Sequence, residues 1–228
     1  MPLALLLLLA APQTWSYDVG PAPLVKASNV GGTIRVESVQ ARGVGISAET
    51  SGGTDEERAR WNIETHGSQS EVSVRVCCGP CGKRGKNKGC QDSVRFDLVL
   101  RVPEDAHLEL NGVSSRVSVA GVAGEQSIDT VAGDMEVEGS AAPLRLTTVS
   151  GRISVRPQKP APSQIQSVSG DVAIALPAGA PARVVLSTAS GRLNGDPKLR
   201  SVGRSGPKIA VETVSGDVTV VDTGRSSR

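Results

Sequence analysis

All four cysteines of the chain lie in one segment, 77–90, which has the sequence CCGPCGKRGKNKGC. Four thiolates at this spacing can coordinate a tetrahedral zinc ion or form two disulfides. Structural zinc sites usually present two separated cysteine pairs, and an even number of cysteines in an exported chain favours disulfides. Geometry disfavours a bridge between adjacent cysteines, so two pairings remain open. They are Cys77–Cys81 with Cys78–Cys90, and Cys77–Cys90 with Cys78–Cys81; a zinc site made by all four is the alternative.

The same segment carries four cationic side chains, Lys83, Arg84, Lys86 and Lys88. A loop stapled by disulfides could present these charges to an anionic polymer such as a polysaccharide, lipid headgroups or teichoic-like chains. The alternative is a solvated hairpin tip whose charges keep an edge strand from pairing with other molecules. The loop has no aromatic residue to stack on sugars or bases, and the net charge of the chain is only +2. We therefore expect an anionic envelope polymer or an envelope protein as partner, and no nucleic acid.

Residues that could catalyse a reaction are few. The two histidines, His66 and His107, lack the spacing of a metal-binding motif such as HExxH and are expected to be surface residues of strands or turns. Asp134, Asp171 and Asp217 could form a carboxylate set for polysaccharide cleavage, but acid/base catalysis needs carboxylates in contrasting environments. Arginines alternate with these aspartates and favour the charged form of all three. We therefore expect a protein that is not an enzyme and has no cofactor.

The elements that position these residues follow from a repeat. The phrase TVSGRISV at 148–155 recurs with small changes in four other places, and the spacings between its glycines are 18, 19, 21 and 25 residues. Apolar residues alternate on both sides of each Ser-Gly corner, as in β-strands. Units of about 20 residues must stack on copies of themselves to bury an apolar face. The sequence therefore predicts an all-β fold, a β-solenoid (single-stranded β-helix) with coils of 18–25 residues, and an antiparallel β-meander or sandwich is the alternative. The predicted structural corners are Gly133, Gly151, Gly170, Gly191 and Gly216.

The residue after each corner favours the solenoid. Its charge alternates along the chain, and alternation is favourable when equivalent residues are direct neighbours on adjacent strands. A hydroxyl residue stands three positions before every corner, which predicts a ladder of hydroxyl groups, and the glycine is expected to supply an unusual backbone angle. The predicted charge ladder is Arg116, Asp134, Arg152, Asp171, Arg192 and Asp217.

The start of the chain predicts export. The apolar run 3–11 has about the length of the hydrophobic region of a secretory signal peptide and is too short to span a membrane. We expect cleavage near Ser16 and a periplasmic or extracellular location, with no transmembrane segment. The predicted boundaries are a signal peptide over 1–16, a single β-repeat domain over 17–223 with an irregular first half (24–110) that serves as a cap and regular repeats (111–222), and a disordered tail over 224–228.

The segment 94–222 resembles the bacterial "putative adhesin" family, whose members are exported proteins made of β-strand repeats. The resemblance is carried by an extended strand that ends in Val-Pro before an acidic turn (102–105), and by successive T-x-S-G-D-apolar-x-V units. Half of the repeats have arginine where the family usually has aspartate, and the cysteine loop departs from the family pattern. The resemblance implies no ligand, catalytic residue or cofactor.

The sequence therefore predicts a non-catalytic, exported interaction protein of the cell envelope or surface. Two alternatives stay open. One is a periplasmic structural or sensory module that binds another envelope protein, and the other is a polysaccharide-active enzyme.

Overall fold

The computed structural model describes residues 12–81, 90, 93–195 and 206–223. The described elements are β-strands and one short helix, as the Val, Ile, Thr and Gly content predicts. The four loop cations (Lys83, Arg84, Lys86, Lys88), most of the predicted signal peptide and the 224–228 tail lie outside the described residues. The elements are β1 (Gln13–Tyr17), β2 (Leu24–Val39), β3 (Val44–Ser51), α1 (Asp55–Arg58), β4 (Trp61–Gly67), β5 (Glu71–Cys78), β6 (Arg95–Pro103), β7 (His107–Ala120), β8 (Gln126–Ala132), β9 (Met135–Glu138), β10 (Leu144–Ser150), β11 (Ile153–Arg156), β12 (Ser163–Ser167), β13 (Val172–Leu176), β14 (Arg183–Thr188), β15 (Leu193–Gly195), β16 (Lys208–Thr213) and β17 (Val218–Asp222).

The strands form two ladders, and each coil of the chain contributes a strand to both. The order in the first ladder is β4–β5–β2–β7–β8–β10–β12–β16–β14, and in the second it is β1–β3–β6–β2–β7–β9–β11–β13–β17–β15. The two halves of the long strands β2 and β7 lie in different ladders. The strands on either side of a corner, such as β10 and β11, pair with their equivalents in adjacent coils, in parallel and in register. This arrangement confirms the predicted β-solenoid over the hairpin meander.

The two ends of the stack differ. At the front end, which comprises β1, β3, β4 and α1, the added strands pair antiparallel with the stack. The rear end comprises the coil of β14 and β15, which is parallel to its neighbour. Gln13 to Ser16, which the sequence assigns to the signal peptide, form most of β1. Cleavage near Ser16 remains a prediction, and it would remove most of the strand that borders β3.

Inward-facing side chains of the two ladders form one apolar core. In the coils with corners at Gly133, Gly151, Gly170 and Gly216, the residues five before and two after the corner glycine stack directly on their equivalents and are buried. The hydroxyl ladder forms at one pair, where Thr130 Oγ1 donates to Thr148 Oγ1 at 3.0 Å. The hydroxyls of Ser167 and Thr213 instead donate to the carbonyl oxygen of their own corner glycine. The stacked core residues are Ile128, Leu146, Ile165 and Val211 before the corner, and Met135, Ile153, Val172 and Val218 after it.

The order of the coils at the rear end differs from the order along the chain. The last coil of the chain, β16 and β17, lies between the coil of β12 and β13 and the coil of β14 and β15. Asp171 and Asp217 are therefore neighbours, and the predicted alternation of charge is wrong at this point. The ladder in the structure has the order Arg116, Asp134, Arg152, Asp171, Asp217, Arg192.

The corner glycines allow close stacking of the coils. The prediction of an unusual backbone angle at every corner is wrong for three of the five. Gly133 and Gly151 have positive φ angles of 146° and 143°, but Gly170, Gly191 and Gly216 do not. At all five positions, a Cβ would lie between 1.9 and 2.3 Å from a carbonyl oxygen of the neighbouring coil. Any larger residue would therefore push adjacent coils apart.

Candidate functional site

The four cysteines form two disulfides at the end of β5. Cys77 is bonded to Cys81 and Cys78 to Cys90, with Cα–Cα distances of 5.4 and 6.0 Å. This is one of the two pairings that the sequence left open, and it replaces the zinc alternative because no cysteine is free. The disulfides hold both ends of the cationic segment close to the front end of the stack.

An open groove of about 1060 Å³ crosses the outer face of the first ladder, over β2, β7, β8, β10, β12 and β16. We call it the outer groove. Because the coils are in register, equivalent outward positions form rows in which neighbours are about 4.8 Å apart. The central row contains Glu109, Ser127, Arg145, Gln164 and Ala210.

Most of the residues that line the outer groove have hydrogen-bonding side chains, although more of its exposed surface is apolar than polar. Its carboxylates outnumber its cations, which are Arg145 and Lys208. His107 lies at one edge, where its Nδ1 accepts a hydrogen bond from the Glu125 N–H at 3.2 Å. The groove thus offers both donors and acceptors, with a mildly acidic character. The carboxylates are those of Glu109, Glu125, Asp129 and Glu212.

The three repeat aspartates on the other ladder hold adjacent coils together. Oδ1 of Asp134 accepts the Arg152 N–H at 3.0 Å. Oδ1 of Asp171 accepts the Asp217 N–H at 2.9 Å, and Oδ1 of Asp217 accepts the Arg192 N–H at 2.8 Å. The guanidinium of Arg116 lies 3.7 Å from the Asp134 carboxylate, and both side chains are exposed. An aspartate at the position after the corner therefore accepts a hydrogen bond from a main-chain N–H of the neighbouring coil. Two adjacent coils can both have aspartate at this position.

A row of exposed valines was not singled out from the sequence. These residues stand two positions before successive corners and are 46–53% exposed. The signal was present, because four of the five valines follow a hydroxyl residue, and side chains alternate between the two faces of a strand. Since the hydroxyl faces inward, the valine must face solvent. The valine stripe consists of Val113, Val131, Val149, Val168 and Val214.

His66 lies exposed on β4, and His107 lies half-buried at the start of β7, so the two histidines are on different strands. Among the described residues, no three His, Cys, Asp or Glu side chains group closely enough to hold a metal ion. No helix in the described part of the chain is long and apolar enough to cross a membrane.

The chain is similar to several solved structures of other proteins. A search of the curated proteins found no match. Similar solved structures include a "putative cell adhesion protein" from Clostridium sporogenes, with 12% identity, a TM-score of 0.44 and coverage of 93% of this chain and 100% of that chain. A "putative adhesin" from Bacteroides fragilis has 14% identity and a TM-score of 0.46, and the match covers 93% of this chain and 97% of that chain. A "putative lipid binding protein" from Parabacteroides distasonis has 8% identity and a TM-score of 0.42, with 94% and 97% covered.

The family model Toastrack DUF4097 matches residues 24–221, which is most of the chain and includes both the irregular first half and the regular coils. This match confirms the family resemblance that the repeats predict. The chain belongs to the Toastrack DUF4097 family.

Proposed function

We propose that this protein is an exported, non-catalytic interaction protein of the cell envelope, and that it binds a neutral polysaccharide along the outer groove. The groove carries the proposal because it presents hydrogen-bonding side chains from five adjacent strands in register, β7, β8, β10, β12 and β16. An extended polymer could contact side chains of several adjacent coils along its length. Carboxylate, amide, hydroxyl and guanidinium groups together supply the acceptors and donors that sugar hydroxyls need.

The disulfides support export. Disulfide bonds persist in the periplasm or outside the cell and are rare in a reducing cytosol. The two bonds of this chain, Cys77–Cys81 and Cys78–Cys90, agree with the signal peptide predicted over 1–16. We place the mature protein in the periplasm or on the cell surface.

The cationic segment supplies a second contact of different chemistry. Lys83, Arg84, Lys86 and Lys88 belong to the chain between Cys81 and Cys90, whose disulfides anchor the segment to β5. An anionic polymer fits these charges better than it fits the mildly acidic outer groove. The two surfaces therefore predict binding with different salt dependence, because salt screens exposed charges and has less effect on neutral hydrogen bonds.

The contacts of the repeat aspartates support a non-catalytic role. Each of Asp134, Asp171 and Asp217 uses a carboxylate oxygen to bind the main chain of the next coil. We expect no turnover of polyuronides or other envelope polysaccharides by the purified protein. Turnover that is lost in Asp171→Asn would contradict this part of the proposal.

The binding proposal is tested by co-sedimentation with insoluble neutral and anionic envelope polysaccharides. A groove variant, Arg145→Ala/Gln164→Ala/Glu212→Ala, should bind the neutral polymer about tenfold more weakly or worse, because each lost hydrogen bond is worth about 0.5–1.5 kcal/mol. A loop variant with the four cations replaced by serine should lose only the salt-sensitive binding to the anionic polymer. Ser154→Ala/Thr219→Ala, on the outer face of the second ladder, is the matched control and should bind like the wild type.

The outcomes separate the two surfaces. If the groove variant binds the neutral polymer as well as the wild type does, the groove is not the binding site. If only the loop variant loses binding, the ligand is anionic and the cationic segment is the contact. If the wild type binds neither polymer but captures an envelope protein, the protein is a module for protein partners.

A further inference from the structure

The front end of the stack is closed by aromatic side chains. The chain has four aromatic residues (Phe, Trp and Tyr), of which three lie on β1 and β4 and the fourth, Phe96, lies on the neighbouring strand β6. Trp15, Tyr17 and Trp61 pack against the core, and the ring centroids of Trp61 and Phe96 are 5.3 Å apart. The Tyr17 hydroxyl joins β1 to β4 by donating to Thr65 Oγ1 at 2.7 Å. These contacts cover the last layer of the core at this end.

The rear end lacks such a cover within the described part of the chain. The inward side chains Val184 and Leu186 of β14 are only partly buried. Their equivalents one coil inward, Ile209 and Val211, are 3% and 0% exposed. The outward side chain of Val185 is 37% exposed. Among the described residues, the apolar core is therefore incompletely covered at this end of the stack.

The main chain of β14 also has an open edge. On one side β14 pairs with β16, and the Arg183 N–H donates to the Pro207 carbonyl oxygen at 3.0 Å. Because backbone groups alternate between the two edges of a strand, those of Val184 and Leu186 point to the opposite edge. No described strand pairs with that edge. An open edge with exposed apolar side chains is a template for pairing with another strand.

We propose that a second copy of this chain occupies the rear edge, with β14 pairing antiparallel to β14 of the other copy about a two-fold axis at Val185. In this register Val184 of one copy lies opposite Leu186 of the other, and both face the core. Their outward-pointing backbone groups then form the reciprocal hydrogen bonds of an antiparallel pair. Val185 meets its own equivalent on the outer face, and Arg183 lies opposite Ser187 without a like-charge contact.

Other registers fit less well. A shift by one residue would place inward side chains of one copy on the outer face of the other. A two-fold axis at Leu186 would place Val184 opposite Thr188 and Val185 opposite Ser187. An axis at Val184 would place the charge of Arg183 opposite Val185. The axis at Val185 alone joins apolar residues on both faces.

The proposed pairing makes a closed dimer. A two-fold contact between identical edges uses the edge of both copies, so it does not propagate into a filament. The same contact cannot form at the front end, because the edge strands there are β1 and β4 and not β14. Two stacks would then form one longer solenoid with a front end at each extremity and a continuous core.

Light scattering coupled to size-exclusion chromatography tests the proposal on the purified oxidised protein. The wild type is expected to be a dimer, and Val185→Lys a monomer, because two lysines would lie directly opposite each other at the axis. Val185 faces outward, so this variant should keep the wild-type circular dichroism spectrum and melting temperature of the individual stack. Val221→Lys on β17, which replaces a 45% exposed valine, is the matched control and should remain a dimer.

A cysteine variant checks the register. Val185→Cys should form a disulfide-linked dimer on non-reducing gels, because residues opposite each other at a two-fold axis lie within disulfide range, and Val221→Cys should not. A monomeric wild type, or a Val185→Lys variant that stays dimeric, would overturn the proposed interface. A dimer that Val185→Cys does not cross-link would overturn the proposed register. These results do not depend on polysaccharide binding and leave the proposed function untouched.

Discussion

Replacement of Gly151 by alanine places a methyl group in the contact between two coils. The added Cβ would lie 2.2 Å from the carbonyl oxygen and 2.7 Å from the carbonyl carbon of Gly133. Both are main-chain atoms, so no side-chain rotation can relieve the clash and one coil must move. Gly151 also has a φ of 143°, which an alanine rarely adopts. Overpacking costs about 1–3 kcal/mol and a strained backbone conformation about 1–3 kcal/mol, so we expect a loss of roughly 2–5 kcal/mol in the free energy of unfolding.

Two other glycines separate the two causes. At Gly170 the φ is not positive, but a Cβ would lie 1.9 Å from the carbonyl oxygen of Gly151, so alanine there meets only the clash. At Gly179 the φ is 65° and no atom lies within 4 Å of the added Cβ, so alanine there meets only the backbone strain. Urea unfolding of the oxidised proteins, followed by circular dichroism, should give the largest loss for Gly151→Ala. Gly170→Ala should be clearly destabilised as well, and an unfolding midpoint equal to that of the wild type would refute the close stacking of coils.

Three further predictions follow from the contacts. Cys78→Ser/Cys90→Ser opens a loop whose ends are 12 residues apart, so it should lower the free energy of unfolding by roughly 2–3 kcal/mol, and an unchanged melting temperature would contradict a structural role. Asp217→Asn should leave the free energy of unfolding within about 0.5 kcal/mol of the wild type, because it removes the like charge beside Asp171 and the opposite charge beside Arg192 together, and it keeps an acceptor for the Arg192 N–H. Asp134→Asn should instead cost about 0–1 kcal/mol, because it weakens the exposed ion pair with Arg116, and the reverse ranking of the two midpoints would contradict the coil order. Val149→Thr should change the free energy of unfolding by no more than about 0.5 kcal/mol in thermal melts, because Val149 is 47% exposed. Ile153→Thr should lower it by roughly 2–3 kcal/mol, because Ile153 is 0% exposed.

The repeat predicts the coil because each corner glycine recurs after one full turn of the chain. It does not predict the order of the coils, since apolar residues occupy equivalent positions in every repeat. Val211 stacks on Ile165 on one side and on Leu186 on the other. By residue type, Val211 and Leu186 are equally suitable neighbours for Ile165. The two coil orders therefore differ little in the free energy of core packing. The interaction energy of the exposed charges is also small, and it did not decide the order. Main-chain hydrogen bonds to aspartate keep Asp171 and Asp217 together in spite of their like charge.

The candidate sites were predicted unequally. The cysteines were recognised as disulfide partners, but both remaining pairings satisfied the spacing, and only the folded chain shows which cysteines are bonded, Cys77 with Cys81 and Cys78 with Cys90. The outer groove was not predicted, because its residues are distant in the chain. Glu109 and Glu212 come to one face only through the register of the stack. The same register produces the valine stripe, which a count of apolar residues would assign to the core.

The coil order underlies both the outer groove and the proposed dimer, because the groove is continuous only if β16 lies beside β12. Two double-cysteine variants measure this order directly in the oxidised protein, by mass spectrometric mapping of disulfides. Gln164→Cys/Ala210→Cys should form a bond, since these residues are direct partners on adjacent strands. In Gln164→Cys/Val185→Cys the two introduced thiols of one chain should not bond to each other, because β16 separates the two strands by about 9.6 Å in total, and only the bond between two copies at position 185 is expected. A bond between positions 164 and 185 in the second variant and none between positions 164 and 210 in the first would contradict the coil order and, with it, the outer groove.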